Sequence, residues 1–95
     1  MNGLLKRSPS SKKKKSAWHV YILLCRNHYL YTGITTDLKR RFQEHRGGSA
    51  RFTAANPPVK MVYHEPCVDR SQALKREAAI KRLSRPRKME LIRSR

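Results

Sequence analysis

Residues 18–25 read WHVYILLC, a largely apolar stretch. In an extended chain successive side chains point to opposite faces, so Val20 and Ile22 share one face. Tyr21 and Leu23 share the other face, which is also largely apolar. A strand with this pattern is covered on both sides. The stretch therefore predicts a strand inside the domain, with neither face open to water.

A hairpin and a helix are predicted to follow this strand. The turn at residues 26–28 leads to a second strand, Tyr29–Ile34, so the two strands form a hairpin. Asp37, preceded by two threonines, is a good N-cap for a helix over Leu38–Arg46. Gly47–Gly48 ends that helix, because glycine adopts the left-handed cap conformation at little cost.

The second half of the chain predicts one more strand and two more helices. Val59–Glu65 is the third strand, with alternate residues from Val59 onward on one face. Asp69 caps a helix that runs to about Ser84. Pro86–Arg93 forms a short last helix, because proline suits a first turn. The order ββαβαα predicts the α+β class, with a small antiparallel three-stranded sheet flanked by helices.

The charge of the chain indicates its partner. The 95 residues suffice for one domain, and 23 Lys and Arg against 6 Asp and Glu give a formal net charge of +17. A polyanion relieves such self-repulsion, so nucleic acid is the expected partner. An acidic membrane surface is the weaker alternative, because the longest apolar run, Val20–Cys25, is too short to span a bilayer. No cleavage-site pattern of a signal peptide follows the N-terminal lysines, so we expect a cytoplasmic protein without a membrane partner.

The first residues of the chain do not fit a folded core. Residues 1–16 combine Ser, Pro and a run of lysines with few apolar residues, and cannot offset their conformational entropy. We therefore expect a disordered basic tail over residues 1–16 and a folded domain over residues 17–95. The basic residues expected to contact nucleic acid lie in both parts: Lys12, Lys13, Lys14, Lys15, Lys39, Arg40, Arg51, Lys81 and Lys88.

Two polar side chains stand on the predicted inward face of the first helix. Leu38 and Phe42 define its inward stripe. At about 100° per residue, Arg41 and His45 fall on or beside that stripe. A guanidinium at such a place needs a carboxylate, a phosphate or a cleft. The alternative is an arginine whose charged end reaches water, beside a histidine that is satisfied in the core.

Glu77 is the corresponding anomaly of the second helix. It lies near the middle of an apolar arc formed by Ala73, Leu74, Ala78, Ile80 and Leu83. A lone carboxylate on a buried arc either becomes protonated or finds a cation. Glu77 is therefore a candidate ligand for a hard metal ion. The alternative interpretation is a structural ion pair with Arg41.

Several short motifs together carry a family resemblance. Residues 20–22, VYI, are followed by residues 31–33, YTG, and then by the helix segment of residues 37–45, DLKRRFQEH. The second helix contains ALKRE at residues 73–77. The joint pattern resembles the GIY-YIG nuclease superfamily and covers the whole predicted domain. The likeness to the short stand-alone bacterial members of that superfamily extends to residues 51–53, RFT.

The resemblance implies an activity and a role for each anomalous residue. It implies a metal-dependent endonuclease that hydrolyses DNA with one Mg²⁺ or Mn²⁺ ion, is structure-dependent or weakly specific, and acts in DNA repair or recombination. The implied catalytic residues are Tyr21, Tyr31, Arg41 and His45, and the implied metal ligand is Glu77. Gly33, which lacks a Cβ atom, would let the chain pass close to the site. Tyr21 would accept a proton from the attacking water, which requires nearby cations to lower its pKa from about 10.

The chain departs from the family pattern in two places. His19-Val20 stands where the first motif has Gly-Ile. No asparagine follows Asn56, although many members carry an active-site asparagine after the second helix, where this chain has Arg87 and Lys88. The alternative function is therefore a catalytically weak or inactive nucleic-acid-binding module of the same fold. Phosphate contacts carry no sequence information, so specificity would depend on nucleic-acid structure or on an unknown partner protein.

Overall fold

The computed structural model describes residues 17–48 and 53–94. The elements follow the order β1 (Trp18–Cys25), β2 (Leu30–Thr35), α1 (Leu38–Arg46), β3 (Pro58–Cys67), α2 (Arg70–Lys81) and α3 (Arg85–Arg93). The predicted order ββαβαα and the α+β class are confirmed. The predicted tail at residues 1–16, with its lysines, and Arg51 lie outside the described residues.

The strand predicted to be covered on both faces is the centre of the sheet. The three strands are antiparallel in the order β2-β1-β3. The side chains of Val20 and Ile22 on one face and of Leu23 on the other are fully buried. A central strand needs partners at both edges and cover on both faces, and the apolar pattern of residues 18–25 supplies side chains for both.

Helices cover the two faces of the sheet as separate layers. Val20 and Ile22 share their face with Ile80 of α2, and apolar side chains of α3 pack against the same cluster. The opposite face carries Tyr21, whose hydroxyl meets His45 of α1. The sheet is therefore enclosed between α1 on one side and α2 with α3 on the other, and the candidate catalytic residues of β1 and α1 lie in the same layer.

An ion pair fastens α2 to β3 on the core side of the sheet. Arg76 Nε donates a hydrogen bond of 2.8 Å to a carboxylate oxygen of Glu65. The Tyr63 hydroxyl donates to the other oxygen of the same carboxylate. One acceptor thus serves two donors from two elements, which fixes the helix along the strand.

The prediction that alternate residues of β3 share a face is wrong. Tyr63 lies opposite Ile22 of β1, but Met61 lies opposite Leu23, whose side chain points to the other face. The register shifts at that point, so an extra residue of β3 is accommodated as an irregularity. Val59 is 58% exposed as a result, although the sequence alternation placed it with Tyr63.

One helix end differs from its prediction, and another agrees with it. The helix predicted to run to about Ser84 ends at Lys81, and Ser84 instead caps α3 by accepting a hydrogen bond from the amide of Arg87. The first helix ends at Arg46, before Gly47–Gly48, as predicted. Gly47 is its C-cap, with φ of −80°, and Gly48 takes the left-handed conformation, with φ of +84°.

The predicted apolar arc of α2 is narrower than its sequence indicated. Ala73 and Ile80 are fully buried, whereas Leu74 is 39% exposed. Ala78 is exposed too. The inward stripe therefore runs from Ala73 past Glu77 to Ile80, so Glu77 stands on the buried line while two of the predicted apolar residues do not.

This difference gives a stability test within one helix. Ile80→Ala should lower the free energy of unfolding by about 2 to 5 kcal/mol, because it opens a cavity in the core beneath β1. Leu74→Ala is the matched control and should cost less than about 1 kcal/mol, since its side chain is already partly in water. Urea unfolding with an unchanged slope would measure both. Equal losses in the two variants would contradict the observed orientation of α2.

Candidate active site

The first feature of the site is the side chain of Tyr21 on β1, which lies directly over Gly33 of the neighbouring strand β2. Tyr21 lies opposite Gly33 in the strand register. A Cβ atom on Gly33 would stand 2.5 Å from the Tyr21 hydroxyl oxygen and 2.8 Å from its Cζ. Neither the strand backbone nor the buried ring can give way by that much, so Gly33 is the residue that leaves room for Tyr21.

His45 of α1 contacts the Tyr21 hydroxyl on the same face of the sheet. The His45 side chain is fully buried, with Nε2 lying 3.0 Å from the Tyr21 hydroxyl oxygen and Nδ1 lying 2.7 Å from Thr53 Oγ1. The Tyr31 ring centroid is 5.0 Å from that of His45 and 6.4 Å from that of Tyr21. Tyr21, Tyr31 and His45 therefore form one group, called here the tyrosine–histidine cluster.

His45 is neutral at neutral pH. Its pKa is lowered from 6.5 to about 4, mainly by burial and also by the positive charge of Arg41, against a small opposing effect of Glu44. A neutral imidazole has one nitrogen that donates and one that accepts a hydrogen bond. Its hydrogen bonds to Tyr21 and Thr53 must therefore run in opposite senses.

The position of Arg41 favours one of the two senses. Its guanidinium lies near enough to the Tyr21 hydroxyl to lower the pKa of that group in part, and a guanidinium can only donate. With its oxygen turned towards this cation, the Tyr21 hydroxyl points its own proton at Nε2 of His45, and Nδ1 of His45 then donates to Thr53.

The pKa of Tyr21 moves opposite to the expectation that cations lower it. This pKa is raised to about 12, mainly by burial, although the nearby Arg41 guanidinium lowers it in part. The nearby Tyr31 and Glu77 raise it slightly. Tyr21 is consequently a phenol and not a phenolate at neutral pH, and any proton it accepts requires that it release its own.

Arg41 is fixed at the rim of the cluster by a carboxylate of its own helix. Arg41 Nη1 donates a hydrogen bond of 2.8 Å to Glu44 Oε1. The same hydrogen bond lowers the pKa of Glu44. The Arg41 side chain is 35% exposed, so its guanidinium joins the buried Tyr21 hydroxyl to solvent. Its remaining donors can meet an anion that arrives from outside.

Glu77 approaches the site from α2. Its side chain is 19% exposed, and its carboxylate lies 3.3 Å from Lys81 Nζ. Its charge contributes to the raised pKa of Tyr21, which places the two groups within electrostatic reach. Within residues 17–48 and 53–94, Arg41 pairs with Glu44 and Glu77 with Lys81, so the alternative of a structural pair between Arg41 and Glu77 is not observed.

The carboxylate of Glu77 fits a loosely held hard cation. In the described part of the chain, no three His, Cys, Asp or Glu side chains converge on a common metal position. Mg²⁺ keeps several waters and is commonly held by one or two carboxylates together with substrate phosphates. A single half-buried glutamate suits this mode and does not suit a preformed cage of protein ligands.

The remaining predicted residues divide between the surface of α1 and the region next to Tyr31. Lys39 and Arg40 are exposed on α1. Lys81 and Lys88 line a pocket together with Tyr31. Lys12 to Lys15 and Arg51 lie outside the described residues. Where the chain is described, no helix has both the length and the apolar character needed to cross a membrane.

Two residues of the site were not identified by periodicity. Thr53 holds Nδ1 of His45, and Glu44 holds Arg41. Glu44 lies on the outer side of the helix, where periodicity gives no sign of a role at the site. The only sequence signal for Thr53 was its place in the RFT motif at residues 51–53, which implied no particular contact.

Similar proteins are known for most of the chain. Residues 17–90 match the model of the GIY-YIG catalytic domain. A UPF0213 protein of Xanthomonas axonopodis pv. citri is 58% identical over 73 residues, which cover 76% of this chain and 72% of that protein. A UPF0213 protein of Desulfotalea psychrophila is 50% identical over 82 residues, which cover 84% and 74%.

A solved structure agrees with the fold. The solution NMR structure of a UPF0213 protein from Bacillus halodurans superimposes with a TM-score of 0.54 at 34% sequence identity, and the match covers 82% of this chain and 84% of that one. The resemblance carried by the short motifs and the predicted three-stranded α+β fold are thereby confirmed.

The depressed pKa of His45 predicts a pH-dependent stability. The folded protein excludes a proton that the unfolded chain binds below pH 6.5, so stability is full above that pH and is lost as pH falls towards about 4. The loss should reach about 3 kcal/mol in urea unfolding. His45→Gln should remove this component, while His64→Gln, which removes an exposed histidine, should retain it. The same pH dependence in all three proteins would contradict a neutral buried His45.

Proposed function

Because the chain belongs to the GIY-YIG catalytic domain family, we propose that it is a metal-dependent endonuclease that hydrolyses phosphodiester bonds of DNA. The observation that supports this most is the buried hydrogen bond between Tyr21 and His45, 3.0 Å long, with the Arg41 guanidinium close enough to influence the Tyr21 hydroxyl. Arg41 offers a cation that can bind the phosphate, and His45 is a neutral base that can accept the proton of the Tyr21 hydroxyl. A purely structural core needs neither of these groups.

The hydroxyl of Tyr21 relays a proton in this proposal. Its pKa of about 12 prevents a standing phenolate, so Tyr21 cannot act as a simple base. Tyr21 instead takes a proton from the attacking water while it passes its own proton to Nε2 of His45, 3.0 Å away. His45 is neutral and able to accept, and a bound phosphate would favour its charged form by offsetting the positive charge of Arg41.

Arg41 and Glu77 handle charge on the phosphate. The free donors of Arg41 bind a non-bridging oxygen and stabilise the negative charge that develops in the transition state. Glu77 would hold one Mg²⁺ or Mn²⁺ ion, which when bound supplies positive charge to the phosphate and to the departing oxygen. Lys81 must leave the Glu77 carboxylate for that, so metal affinity without nucleic acid is expected to be weak. Tyr31 packs against His45 and limits water in the cluster.

Specificity is proposed to come from nucleic-acid structure. The basic side chains near the site contact phosphates, which position the strand and carry no sequence information. We therefore propose structure-dependent or weakly specific cleavage, with a place in DNA repair or recombination inside the cytoplasm. The second candidate is a nucleic-acid-binding module without cleavage. The ion pair of Lys81 with Glu77 and the absence of an asparagine after α2 favour that candidate.

Tyr21→Phe tests the proton relay. The ring that crosses Gly33 is kept and only the hydroxyl is lost, so DNA binding should persist while cleavage falls by roughly 10² or more. Tyr63→Phe removes another buried hydroxyl, on the opposite face of the sheet, and should leave cleavage near the wild-type rate. Cleavage would be measured on plasmid, flap, four-way-junction and single-stranded DNA. Full activity of Tyr21→Phe would overturn the relay but not the nuclease assignment.

Glu77→Gln tests the metal and, with it, the function. Cleavage in Mg²⁺ or Mn²⁺ should be abolished, while DNA binding is kept or tightened because one negative charge is removed. Stability should change by less than about 1 kcal/mol, since the ion pair of Glu77 within the described part of the chain is with a partly exposed Lys81 one turn away. Glu90→Gln on α3 makes the same charge change away from the site and should cleave normally.

The wild-type protein decides between the two candidate functions. Metal-dependent cleavage that EDTA stops supports the nuclease. Binding to all substrates without cleavage in either metal supports the binding module. Normal cleavage by Glu77→Gln would show that Glu77 is not the metal ligand.

A further inference from the structure

A basic pocket lies at the free edge of β2, beside the tyrosine–histidine cluster. It has a volume of about 210 Å³ and is lined by Tyr29, Leu30, Tyr31, Thr32, Lys81 and Lys88. Among the residues that the structure describes, β2 is an edge strand, with β1 as its neighbour in the sheet. The pocket is thus formed between one strand edge and the lysines of α2 and α3.

The walls of the pocket are held together before any ligand arrives. Arg85 Nη1, at the start of α3, donates a hydrogen bond of 2.7 Å to the carbonyl oxygen of His28. His28 itself has a φ of +70°, a left-handed conformation that turns the hairpin towards α3. The amide of Tyr29 donates to the Asn27 side chain at 3.1 Å. The hairpin turn and α3 therefore form one preformed wall.

The chemistry of the pocket favours an anion. It is lined by two ammonium groups and by no carboxylate. Lys81 also lies 3.3 Å from Glu77. In the part of the chain that the structure describes, Lys88 has no ion-pair partner, although it is half-buried. A half-buried cation without a counterion is a binding site for negative charge.

Thr32 adds a second, independent indication. The residue is only 3% exposed, and its hydroxyl oxygen has no hydrogen-bond partner among the described residues. Buried hydroxyl groups are satisfied in most proteins, so an unsatisfied one in a residue that lines a pocket suits a ligand that is not part of the chain. The Thr32 hydroxyl oxygen has almost no solvent-accessible surface, so the side chain must rotate before it can donate to an anion oxygen in the pocket.

The pocket and the candidate active site share a boundary. Tyr31 lines the pocket, and its ring centroid is 5.0 Å from that of His45. Lys81 lines the pocket and contacts Glu77, the proposed metal ligand. An anion in the pocket would therefore lie directly beside the phosphate on which Arg41 acts.

We propose that this pocket binds the phosphate next to the scissile one on the same nucleic-acid strand, with Lys81 and Lys88 as its ligands. The proposal rests on the proposed nuclease function, because that function places the scissile phosphate at Arg41 and Tyr21. Two phosphates separated by one nucleoside then occupy two adjoining sites, and the second contact sets the register of the strand. Tyr29, 59% exposed at the rim, borders the path of the strand out of the pocket.

Thymidine 3′,5′-bisphosphate tests the proposal, because it carries two phosphates on one nucleoside. Its affinity would be compared with those of thymidine 5′-phosphate and thymidine 3′-phosphate, without divalent metal, so that no cleavage is involved. The wild-type protein should bind the bisphosphate roughly tenfold more tightly than either monophosphate, as one added charge-assisted contact provides. In NMR spectra the bisphosphate should shift the amides of residues 30–32.

Lys88→Gln should reduce that advantage to less than about twofold and remove those shifts. Arg87→Gln is the matched control: it lies next in sequence on the same helix, removes the same charge, and does not line the pocket. It should keep the advantage of the bisphosphate. Lys81→Gln should likewise reduce the advantage of the bisphosphate. Its matched control is Lys75→Gln, which removes the same charge from α2 and does not line the pocket.

Three results would overturn the proposal. The bisphosphate advantage could be the same in Lys88→Gln as in the wild type, it could be absent from the wild type, or inorganic phosphate alone could shift residues 30–32 as strongly as the bisphosphate. The last result would assign the pocket to free phosphate. Metal-dependent DNA cleavage together with any of these results would leave the nuclease intact and remove only the pocket. A bisphosphate advantage that depends on Lys88, in a protein that does not cleave DNA, would support the pocket and overturn the nuclease function.

Discussion

The contact of Tyr21 with Gly33 is the constraint on which the site depends. The Tyr21 ring crosses the neighbouring strand at the one place where a side chain is missing, and a Cβ atom there would lie 2.5 Å from the hydroxyl oxygen. The position of the ring over Gly33 brings the Tyr21 hydroxyl close to His45 and Arg41 of α1. A slip of β2 by one residue would put Thr32 or Ile34 under the ring and remove the hydroxyl from both partners.

Burial and charge then act on the same few atoms in opposite directions. Burial raises the pKa of Tyr21 and lowers that of His45, so both groups are uncharged in the folded protein. Arg41 brings a positive charge to their edge, where its partner Glu44 also pairs with Arg40. In the proposed function an incoming phosphate adds negative charge at this edge and makes proton transfer between the two neutral groups easier.

Local patterns predicted most of the fold. The apolar alternation of residues 18–25 identified the central strand, and Asp37 and Asp69 cap their helices as predicted, with hydrogen bonds of 3.0 Å and 2.9 Å to backbone amides. The prediction that failed depends on non-local pairing. Val59 is exposed because the register of β3 shifts against β1, and the sequence of β3 alone does not show where its pairing with β1 accommodates an extra residue.

The site was predictable in its membership and not in its contacts. Periodicity singled out Arg41, His45 and Glu77 as polar groups on inward stripes, and the family resemblance added the tyrosines. Partners such as Thr53 depend on which loops meet in space, which spacing does not encode. The direction of the Tyr21 pKa also depends on depth of burial, a property of the whole packed domain.

The site draws its side chains from nearly every segment of a very small domain: Tyr21 from β1, Tyr31 from β2, His45 from α1, Thr53 from the following loop and Glu77 from α2. Domains of this size usually unfold in a single cooperative step. The described segments share one core, and none of them forms a separate lobe that could swing on a hinge. In the proposed function, a substrate would therefore gain access through movements of side chains at the rim, such as Lys81 and Arg41, and not through a hinge between lobes.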